Sequence, residues 1–417
     1  MKRLLSVCLS LCIMMSVFVS FDITASAKTN LKKTTVSASN ISNGINVSWK
    51  KVSGAKSYKL YRKASGAKKY SVVKKTNSKT VKYLDKKVSA GKTYSYQVVA
   101  VNGKTKTTSK AKSIVRLLAP KNVKVQSYAS KTDCTLKGSK ADYVFDNVFN
   151  FDSKLGVKIT WNKSKGANKY DIYRKVDNSK KYRKIKTVGN ISTYVDRESF
   201  FSVVNLSYKV VARKNTSASD YSTTRKICYV EPSYIFTYSL SDELLVSWTQ
   251  VAGCDGYKLY RSLTGKAGSY SYIGKYTTKE YKYEEKNAEL GKTYYYKLVA
   301  YKGSNNSVGL TIKEKYEPVT IVNLNVGDTS DSVQKQFKKT LAKINKDLKR
   351  NMSDLYQEVT FDKIMESIRI ESKDEKIATV SKDYIITAVS QGTIKAPIIQ
   401  KLGNFEFEKG FILINVN

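Results

Sequence analysis

Apolar and polar residues alternate along many short stretches of this chain, and one such stretch occurs three times. Its first copy runs from Trp49 through Gly54 to Tyr58, and the other copies begin at Trp161 and Trp248. The shared pattern is W-x4-G-x3-Y-x-[LI]-Y-R. A fixed pattern that recurs at domain-sized intervals indicates a repeated module.

Further alternating stretches surround each copy of this pattern. In the first copy, Ile45, Val47 and Trp49 alternate with polar residues, which is the period of two typical of a half-buried strand. A turn and another alternating stretch follow at 91–100, and the third copy repeats them at 291–300. About seven short strands in under ~100 residues predict an antiparallel β-sandwich. The predicted fold class is therefore all-β, with tandem Ig-like sandwiches.

The three repeats resemble fibronectin type III domains. That family has a core tryptophan on its second strand, a tyrosine on its third strand and a tyrosine corner later in the chain. The matching residues, which the resemblance implies to be structural core, are Trp49, Tyr58, Tyr94, Trp161, Tyr170, Trp248, Tyr257 and Tyr294. Leu206 stands where the middle repeat would have its corner tyrosine, so the corner hydrogen bond is not expected there. The resemblance covers roughly residues 30–317.

Prolines mark the predicted joints between domains. Pro120, Pro232 and Pro318 lie at these joints, and no Gly/Ser-rich linker separates the modules, so we expect semi-rigid connections. The predicted segments are a signal peptide at 1–27, fibronectin type III-like domains at 28–117, 118–231 and 232–317, and a bacterial Ig-like domain at 318–417.

The middle repeat carries a predicted insertion at 126–156. Aromatic residues, including Tyr143 and Phe149, lie there among aspartates such as Asp146. A loop of this length is often functional. The alternative is an ordered extension that covers a sheet edge.

The N-terminal residues have the pattern of an export signal. Met1-Lys2-Arg3 forms the basic start, 4–21 the apolar run, and Ala25-Ser26-Ala27 a small-x-small cleavage site. The alternative is an uncleaved anchor helix. Cleavage would remove two of the five cysteines and leave an odd number.

The remaining cysteines are Cys134, Cys228 and Cys254. Cys134 and Cys228 fall in the same repeat, so a disulfide between them is one interpretation. The other is three buried free thiols that behave as small apolar residues. Neither interpretation makes the cores of the repeats depend on disulfides.

The last hundred residues change character. Apolar residues recur every three or four positions at 330–350, which predicts an amphipathic helix in the C-terminal Ig-like domain. These apolar positions are Val333, Phe337, Leu341, Ile344 and Leu348. The helix either packs on its own domain or lies on a membrane surface.

Strand patterns resume after the helix. Residues 372–381 and 386–393 resemble the S-x-D-x-x-[VI]-A-T-V and [VI]-T-A-V-x-x-G-T segments of group 2 bacterial Ig-like domains. Val326-Gly327-Asp328-Thr329 resembles the opening strand and turn of that family. The long helix is not part of the family pattern.

The sequence offers no catalytic set. The chain has no histidine, so no serine or cysteine has the usual base. No Gly-rich phosphate loop follows a strand. We therefore predict a protein that is not an enzyme, with no cofactor and no metal site. A carboxylate-based glycoside hydrolase is the enzyme class that the missing histidines leave open.

Charge is the most informative feature of the composition. The net charge is +41, and residues 31–117 hold 22 Lys and Arg but one acid, Asp85, whereas residues 318–417 hold 15 and 13. Solubility does not require such a basic domain, and self-repulsion destabilises it. We predict a polyanion-binding face whose candidate residues are Lys59, Lys63, Lys68, Lys69, Lys74 and Lys75. The alternative is a solvated lysine surface without a ligand.

Tyr61, Tyr173 and Tyr260 are expected on the outer face of the third strand of each repeat. Exposed tyrosine beside lysine suits contact with sugars, and it is also an ordinary surface residue of a β-strand. The sequence alone does not separate these two interpretations.

These features predict a secreted, non-enzymatic cell-envelope protein that acts in adhesion, spacing or scaffolding. The predicted partner is an anionic wall polymer or host glycan, without specific nucleic-acid recognition. The domain style resembles surface proteins of Gram-positive, gut-type bacteria, and retention at the surface would be non-covalent because no sortase motif is present. An alternative is a structural spacer whose C-terminal domain binds a protein.

Overall fold

The computed structural model describes residues 30–130, 155–177, 179–200, 202–336, 338–339, 342, 367–402 and 405–417. The predicted signal peptide and Cys134 lie outside these residues. The described residues up to Ala119, together with Ser164–Asn168 and Ala212–Asp220, form one compact unit. The remaining described residues, from Pro120 onward, form the second.

The first repeat folds as short strands joined by turns. Its strands are β1 (Val36–Ile41), β2 (Gly44–Trp49), β3 (Ser57–Ala64), β4 (Ser71–Asn77), β5 (Lys82–Asp85), β6 (Thr93–Asn102), β7 (Thr105–Thr108) and β8 (Lys112–Val115). One sheet has the order β1-β2-β5 and the other β4-β3-β6-β7, with β8 also paired to β6. All pairs are antiparallel.

The middle repeat has the same plan. Its strands are β9 (Lys121–Ala129), β10 (Leu155–Asn162), β11 (Lys169–Val176), β12 (Arg183–Val188), β13 (Thr193–Asp196), β14 (Val203–Lys214), β15 (Ser217–Ala218) and β16 (Arg225–Val230). The sheets have the orders β13-β10-β9 and β12-β11-β14-β15, with β16 paired to β14.

The predicted insertion is shorter than the sequence indicated. Residues 126–129 belong to β9 and pair with 155–158 of β10, so both ends of the segment assigned to the insertion are strand. Alternation between Gln126 and Ala129 is weak, which is why the sequence placed the end of the strand too early. Residues 131–154 lie outside the described part of the chain.

The third repeat copies the plan again. Its strands are β17 (Ile235–Ser239), β18 (Leu244–Trp248), β19 (Gly256–Ser262), β20 (Ser271–Tyr276), β21 (Lys282–Glu285), β22 (Thr293–Lys302), β23 (Asn305–Asn306) and β24 (Leu310–Lys315). The sheets are β17-β18-β21 and β20-β19-β22-β23, with β24 paired to β22. The predicted all-β sandwich class is confirmed.

All eight residues that the resemblance implied to be core are buried, each with at most 5% of its surface exposed. In every repeat the tryptophan contacts the first tyrosine of the pattern, with ring centroids 5.4–5.8 Å apart. The corner tyrosines Tyr94 and Tyr294 accept hydrogen bonds from the backbone N–H groups of Ser89 (2.8 Å) and Glu289 (2.9 Å). Leu206 is buried and has no hydroxyl for such a bond.

The C-terminal domain is a smaller two-sheet structure. Its strands are β25 (Thr320–Leu324), β26 (Thr329–Ser330), β27 (Ile368–Ile370), β28 (Ala378–Val380), β29 (Ile386–Ala388), β30 (Gly392–Leu402) and β31 (Phe405–Val416). The sheets have the orders β25-β31-β30-β27 and β26-β29-β28. β25 pairs in parallel with β31, unlike any pair named in the three repeats.

The predicted helix is present where the structure describes it, at 332–336, 338–339 and 342. Val333 is buried in the core of the C-terminal domain, which favours a helix packed on its own domain. The other apolar positions of the predicted helix lie outside the described residues. Within those residues no helix is both long and apolar enough for a membrane crossing.

Cys228 and Cys254 are free thiols, half-buried and buried respectively. The structure therefore favours the free-thiol interpretation for these two residues.

Candidate polyanion-binding face

An ion pair joins the two sheets of the first repeat. Arg62, the last residue of the repeated pattern, lies on β3, and its Nη1 is 2.8 Å from Oδ2 of Asp85 at the end of β5. The hydroxyl of Tyr96 on β6 donates to the same carboxylate oxygen at 2.9 Å. Burial raises the pKa of the Tyr96 phenol, and the neighbouring Asp85 charge raises it further. The Asp85 carboxylate therefore accepts from both partners in the interior of the repeat.

The other repeats contain the same network. Arg174 is paired with Asp196 at 2.8 Å, and the hydroxyl of Tyr208 donates to Asp196 at 2.8 Å. Burial alone would lower the pKa of Arg174, but its bonds to Glu198 and Asp196 outweigh burial and raise it. The corresponding residues of the third repeat are Arg261, Glu285 and Tyr296.

Because of this network, the one acid of residues 31–117 adds no negative charge to the surface. Asp85 is the single acid in residues 31–117, and it is only 1% exposed. Arg116 is also buried, and its guanidinium donates to the carbonyls of Ile41 (2.7 Å) and Ser42 (2.9 Å). Apart from Arg62, which is 20% exposed and paired with Asp85, the charges left at the surface of this segment all belong to lysines. Among these lysines only Lys59 and Lys63 are half-buried, and the rest are exposed. The surface of residues 31–117 thus contains cations and no carboxylate.

The structure brings two of the six candidate lysines directly together. Lys59 on β3 lies opposite Lys75 on β4. Directly opposite residues have Cβ atoms about 4.5–5.5 Å apart, where like charges repel. Neither ammonium has a hydrogen-bond, ion-pair or ring partner among the described residues. Lys75 is exposed and Lys59 is partly exposed, and the two together are called the exposed lysine pair below.

The other four candidate lysines are distributed around this pair. Lys63 lies opposite Ser95 and is 5.5 Å from the centroid of the Tyr70 ring. Lys68 and Lys69 are exposed in the turn between β3 and β4.

Lys74 does not belong to the row of the exposed lysine pair. It lies opposite Leu60, whose side chain is fully buried, at a bulge between Leu60 and Tyr61. The residue left unpaired by the bulge is Val73, which packs against the core. Lys74 and Lys75 are consecutive residues on the regular side of the bulge, so the alternation of β4 places them on opposite faces.

The same position in the middle repeat is chemically different. Asp171 replaces the first lysine, and it lies opposite Thr187, which replaces the second. The Thr187 hydroxyl donates to Asp171 at 2.6 Å, and Nζ of Lys184 is 4.0 Å from the carboxylate. This position therefore carries its own counter-charge and does not attract an anion.

The third repeat keeps both lysines but gives them partners. Lys258 lies opposite Lys275, and both ammonium groups lie over the Tyr301 ring, at 5.1 and 4.7 Å from its centroid. Lys258 also donates to the amide oxygen of Asn306 at 3.0 Å. Val101 occupies the position of Tyr301 in the first repeat, since both residues pair with the first residue of the third strand. Only the first repeat therefore presents this lysine pair without an aromatic or polar partner.

Tyr61, Tyr173 and Tyr260 are all half-buried on the outer sheet faces. Tyr173 contacts the ring of Tyr221 at 5.1 Å. Tyr260 contacts Tyr272 at 5.5 Å and lies 4.5 Å from Nζ of Lys297. In the last two repeats these tyrosines thus belong to clusters of rings that the sequence interpretation did not foresee.

No group of three or more metal-ligating side chains occurs among the residues the structure describes.

Among solved structures, the chain is similar to tandem fibronectin type III segments. One is a segment containing domains FN1–FN3 of chicken CNTN1, with 17% identity, 68% of this chain and 99% of that chain covered, and a TM-score of 0.20. Another is a two-domain segment of chicken tenascin, which is 14% identical to this chain. The match covers 47% of this chain and 99% of that chain, with a TM-score of 0.24. No protein-family model and no curated protein matches the chain. The strand orders show that the three repeats share one two-sheet plan and that a smaller two-sheet domain follows them.

Proposed function

We propose that this chain is a secreted, non-enzymatic adhesion or scaffolding protein whose first repeat binds an anionic polymer. One observation carries the proposal: the single acid of residues 31–117 is buried in an ion pair, so the lysine surface of this segment has no internal counter-charge. Lysine-rich surfaces attract phosphate or sulfate as diffuse charge, without the bidentate geometry that arginine provides. The proposed ligand is therefore a phosphate- or sulfate-bearing polymer at the cell surface.

The exposed lysine pair is the centre of the proposed site. Two like charges held opposite each other on neighbouring strands destabilise the sheet by roughly 0.2–1 kcal/mol. A bound anion would remove this repulsion and gain attraction from both groups. Lys63, Lys68 and Lys69 extend the positive surface beside the pair, so a polymer with regularly spaced anions suits it better than a single small ion.

Binding should depend strongly on salt. The Debye length shortens from about 14 Å at ~0.05 M to about 6 Å at ~0.3 M ionic strength, which screens exposed charges from each other. Titration of the full chain with heparin and with poly(glycerol phosphate) would measure this dependence. Binding that is unchanged across this range, or that is absent at low salt, would contradict the proposal.

The third repeat provides a matched control. Lys59→Gln together with Lys75→Gln should weaken polymer binding about three- to tenfold at ~0.05 M salt, since each exposed ion pair contributes up to about 1 kcal/mol. Lys258→Gln together with Lys275→Gln removes the same charge from the same position of the third repeat, where Tyr301 already contacts both lysines. This control should change binding less than twofold. Equal effects of the two double variants would show that net charge, and no particular face, governs binding.

A further inference from the structure

A pocket lies within the second compact unit, between the third repeat and the C-terminal domain. Its volume is about 380 Å³, which falls in the range of about 300–1,000 Å³ that small-molecule sites occupy. The lining residues are Tyr238, Leu240, Leu245, Phe407, Glu408 and Lys409. None of these residues belongs to the proposed polymer site.

The wall from the third repeat is apolar. Tyr238 on β17 lies directly opposite Leu245 on β18, and Leu240 follows β17 in the turn between these strands. From β31, Phe407 contributes a side chain that is 45% exposed. Pockets lined by aromatic and aliphatic groups with a few polar groups are suited to small organic ligands.

Of the two charged groups at the pocket, Glu408 already accepts hydrogen bonds from the protein. Ser241 donates to its carboxylate from both the backbone N–H and the hydroxyl, the latter at 3.2 Å. Burial raises the pKa of Glu408, while these bonds from Ser241 act in the opposite direction. The carboxylate of Glu408 is therefore satisfied within the protein.

Lys409, by contrast, has no anionic partner. It is half-buried, and its Nζ lies 5.9 Å from the centroid of the Tyr238 ring. No ion pair involves Lys409 among the residues that the structure describes. Burial lowers the pKa of its ammonium group.

A second, smaller cavity borders Lys409 on another side, and its carboxylates have other partners. Glu314 accepts hydrogen bonds from Thr237 (3.3 Å) and Ser239 (3.1 Å). Glu317 is paired with Lys315 at 3.0 Å. A half-buried charge without a partner is unfavourable, so an external anion would stabilise Lys409.

We propose that this pocket binds a small organic acid, with its carboxylate paired to Lys409 and its apolar body against Tyr238, Leu245 and Phe407. The volume suits an aromatic or medium-chain aliphatic acid. The carboxylate replaces the water lost by the half-buried ammonium, and the apolar body covers surface that Tyr238, Leu245 and Phe407 otherwise leave to solvent. The site is independent of the polymer-binding proposal.

Calorimetric titration of the full chain with phenylacetate and octanoate, each against its amide, tests this site. The small size of these ligands sets the expected Kd at about 0.1–5 mM. Each acid should bind at least about tenfold more tightly than its amide, because a hydrogen bond to a charged group contributes more than a neutral one. Equal binding of acid and amide, or no binding of either acid, would overturn the proposal.

Variants assign the effect to Lys409. Lys409→Met should abolish the preference for the acid, and Lys409→Arg should retain it. Lys401→Met, at an exposed lysine of β30, is the control and should bind as the native chain does. Hydrogen exchange of β31 should also show a higher free energy of opening in Lys409→Met than in the native chain, since the substitution removes an unpaired charge. A Lys409→Met protein that still prefers the acid refutes the assignment.

Discussion

Replacing Arg174 with methionine would leave a carboxylate without its cation inside the middle repeat. The side chains of Arg174 and Asp196 are 4% and 7% exposed, and Nη1 lies 2.8 Å from Oδ2. Tyr208 would remain as a donor to Asp196 at 2.8 Å. One neutral hydroxyl does not replace a full positive charge, so most of the cost of burying Asp196 would be uncompensated.

The three repeats provide a graded series for this cost. Loss of one partner from a buried ion pair costs about 3–5 kcal/mol, which is the expected effect of Arg174→Met. The side chain of Arg62 is 20% exposed, so Arg62→Met should cost less, about 2 kcal/mol. Arg261 is 41% exposed, and the 9% exposed Glu285 would keep the hydroxyls of Tyr283 and Tyr296 as donors, so Arg261→Met should cost least, about 1–2 kcal/mol.

Hydrogen exchange followed by mass spectrometry can measure each repeat within the full chain. Unfolding of a multidomain chain is not a single two-state transition, so a global melting curve would mix the repeats. Amides of β6, β14 and β22 report on the first, middle and third repeats, because each strand lies within a five-stranded sheet. The free energy of opening should fall only in the repeat that carries the substitution.

A double variant separates the orphaned charge from lost packing. Arg174→Met with Asp196→Asn removes both charges, and it should recover about 1–3 kcal/mol relative to Arg174→Met alone. If the double variant is no more stable than the single one, the cost does not come from the unpaired carboxylate. An Arg174→Met effect no larger than that of Arg261→Met would likewise refute the argument from burial.

Two further predictions concern tyrosines. Tyr94→Phe and Tyr294→Phe should each lower the stability of their own repeat by about 1–2 kcal/mol. In each case a backbone N–H group, that of Ser89 or of Glu289, loses its acceptor. Hydrogen exchange of β6 and of β22 measures the two effects. Burial raises the pKa of Tyr384 to about 12, so the folded state keeps this proton longer than the unfolded chain does. The stability contributed by Tyr384 is therefore present below pH ~10 and is lost as the pH rises from ~10 to ~12. Phenolate absorbance of the native chain minus that of Tyr384→Phe should show this late titration, and a difference centred near pH 10 would contradict it.

Local alternation predicted the sandwich class, and the resemblance of the repeats to a known family implied their core positions. A strand with one face on the core must alternate between apolar and polar residues. The tryptophan of each repeat follows this alternation, so the sequence could predict that Trp49, Trp161 and Trp248 are buried. The end of β9 was missed because alternation is weak near Ala129 and the pairing with β10 extends the strand.

The interior ion pair could not be predicted in the same way. Arg62 and Asp85 lie on different sheets and are 23 positions apart in the chain, so no local period relates them. One signal was present: the pattern ends in arginine in all three copies, and an acid follows 22–24 positions later in each. The bulge at Val73 has no comparable signal, because it depends on how β4 pairs with β3.

The residues of the interior ion-pair network recur in all three repeats, whereas the residues at the position of the exposed lysine pair differ. Arg62, Asp85 and Tyr96 have counterparts in every repeat because an unpaired member would be buried and costly. The position of the exposed lysine pair has no such constraint, and it carries lysines, an aspartate with a threonine, or lysines over a tyrosine in successive repeats. Because Asp85 must stay inside to satisfy Arg62, the one acid of residues 31–117 cannot neutralise its lysine surface. The proposed anion binding by the first repeat therefore depends on the interior Arg62–Asp85 pair as much as on the surface lysines.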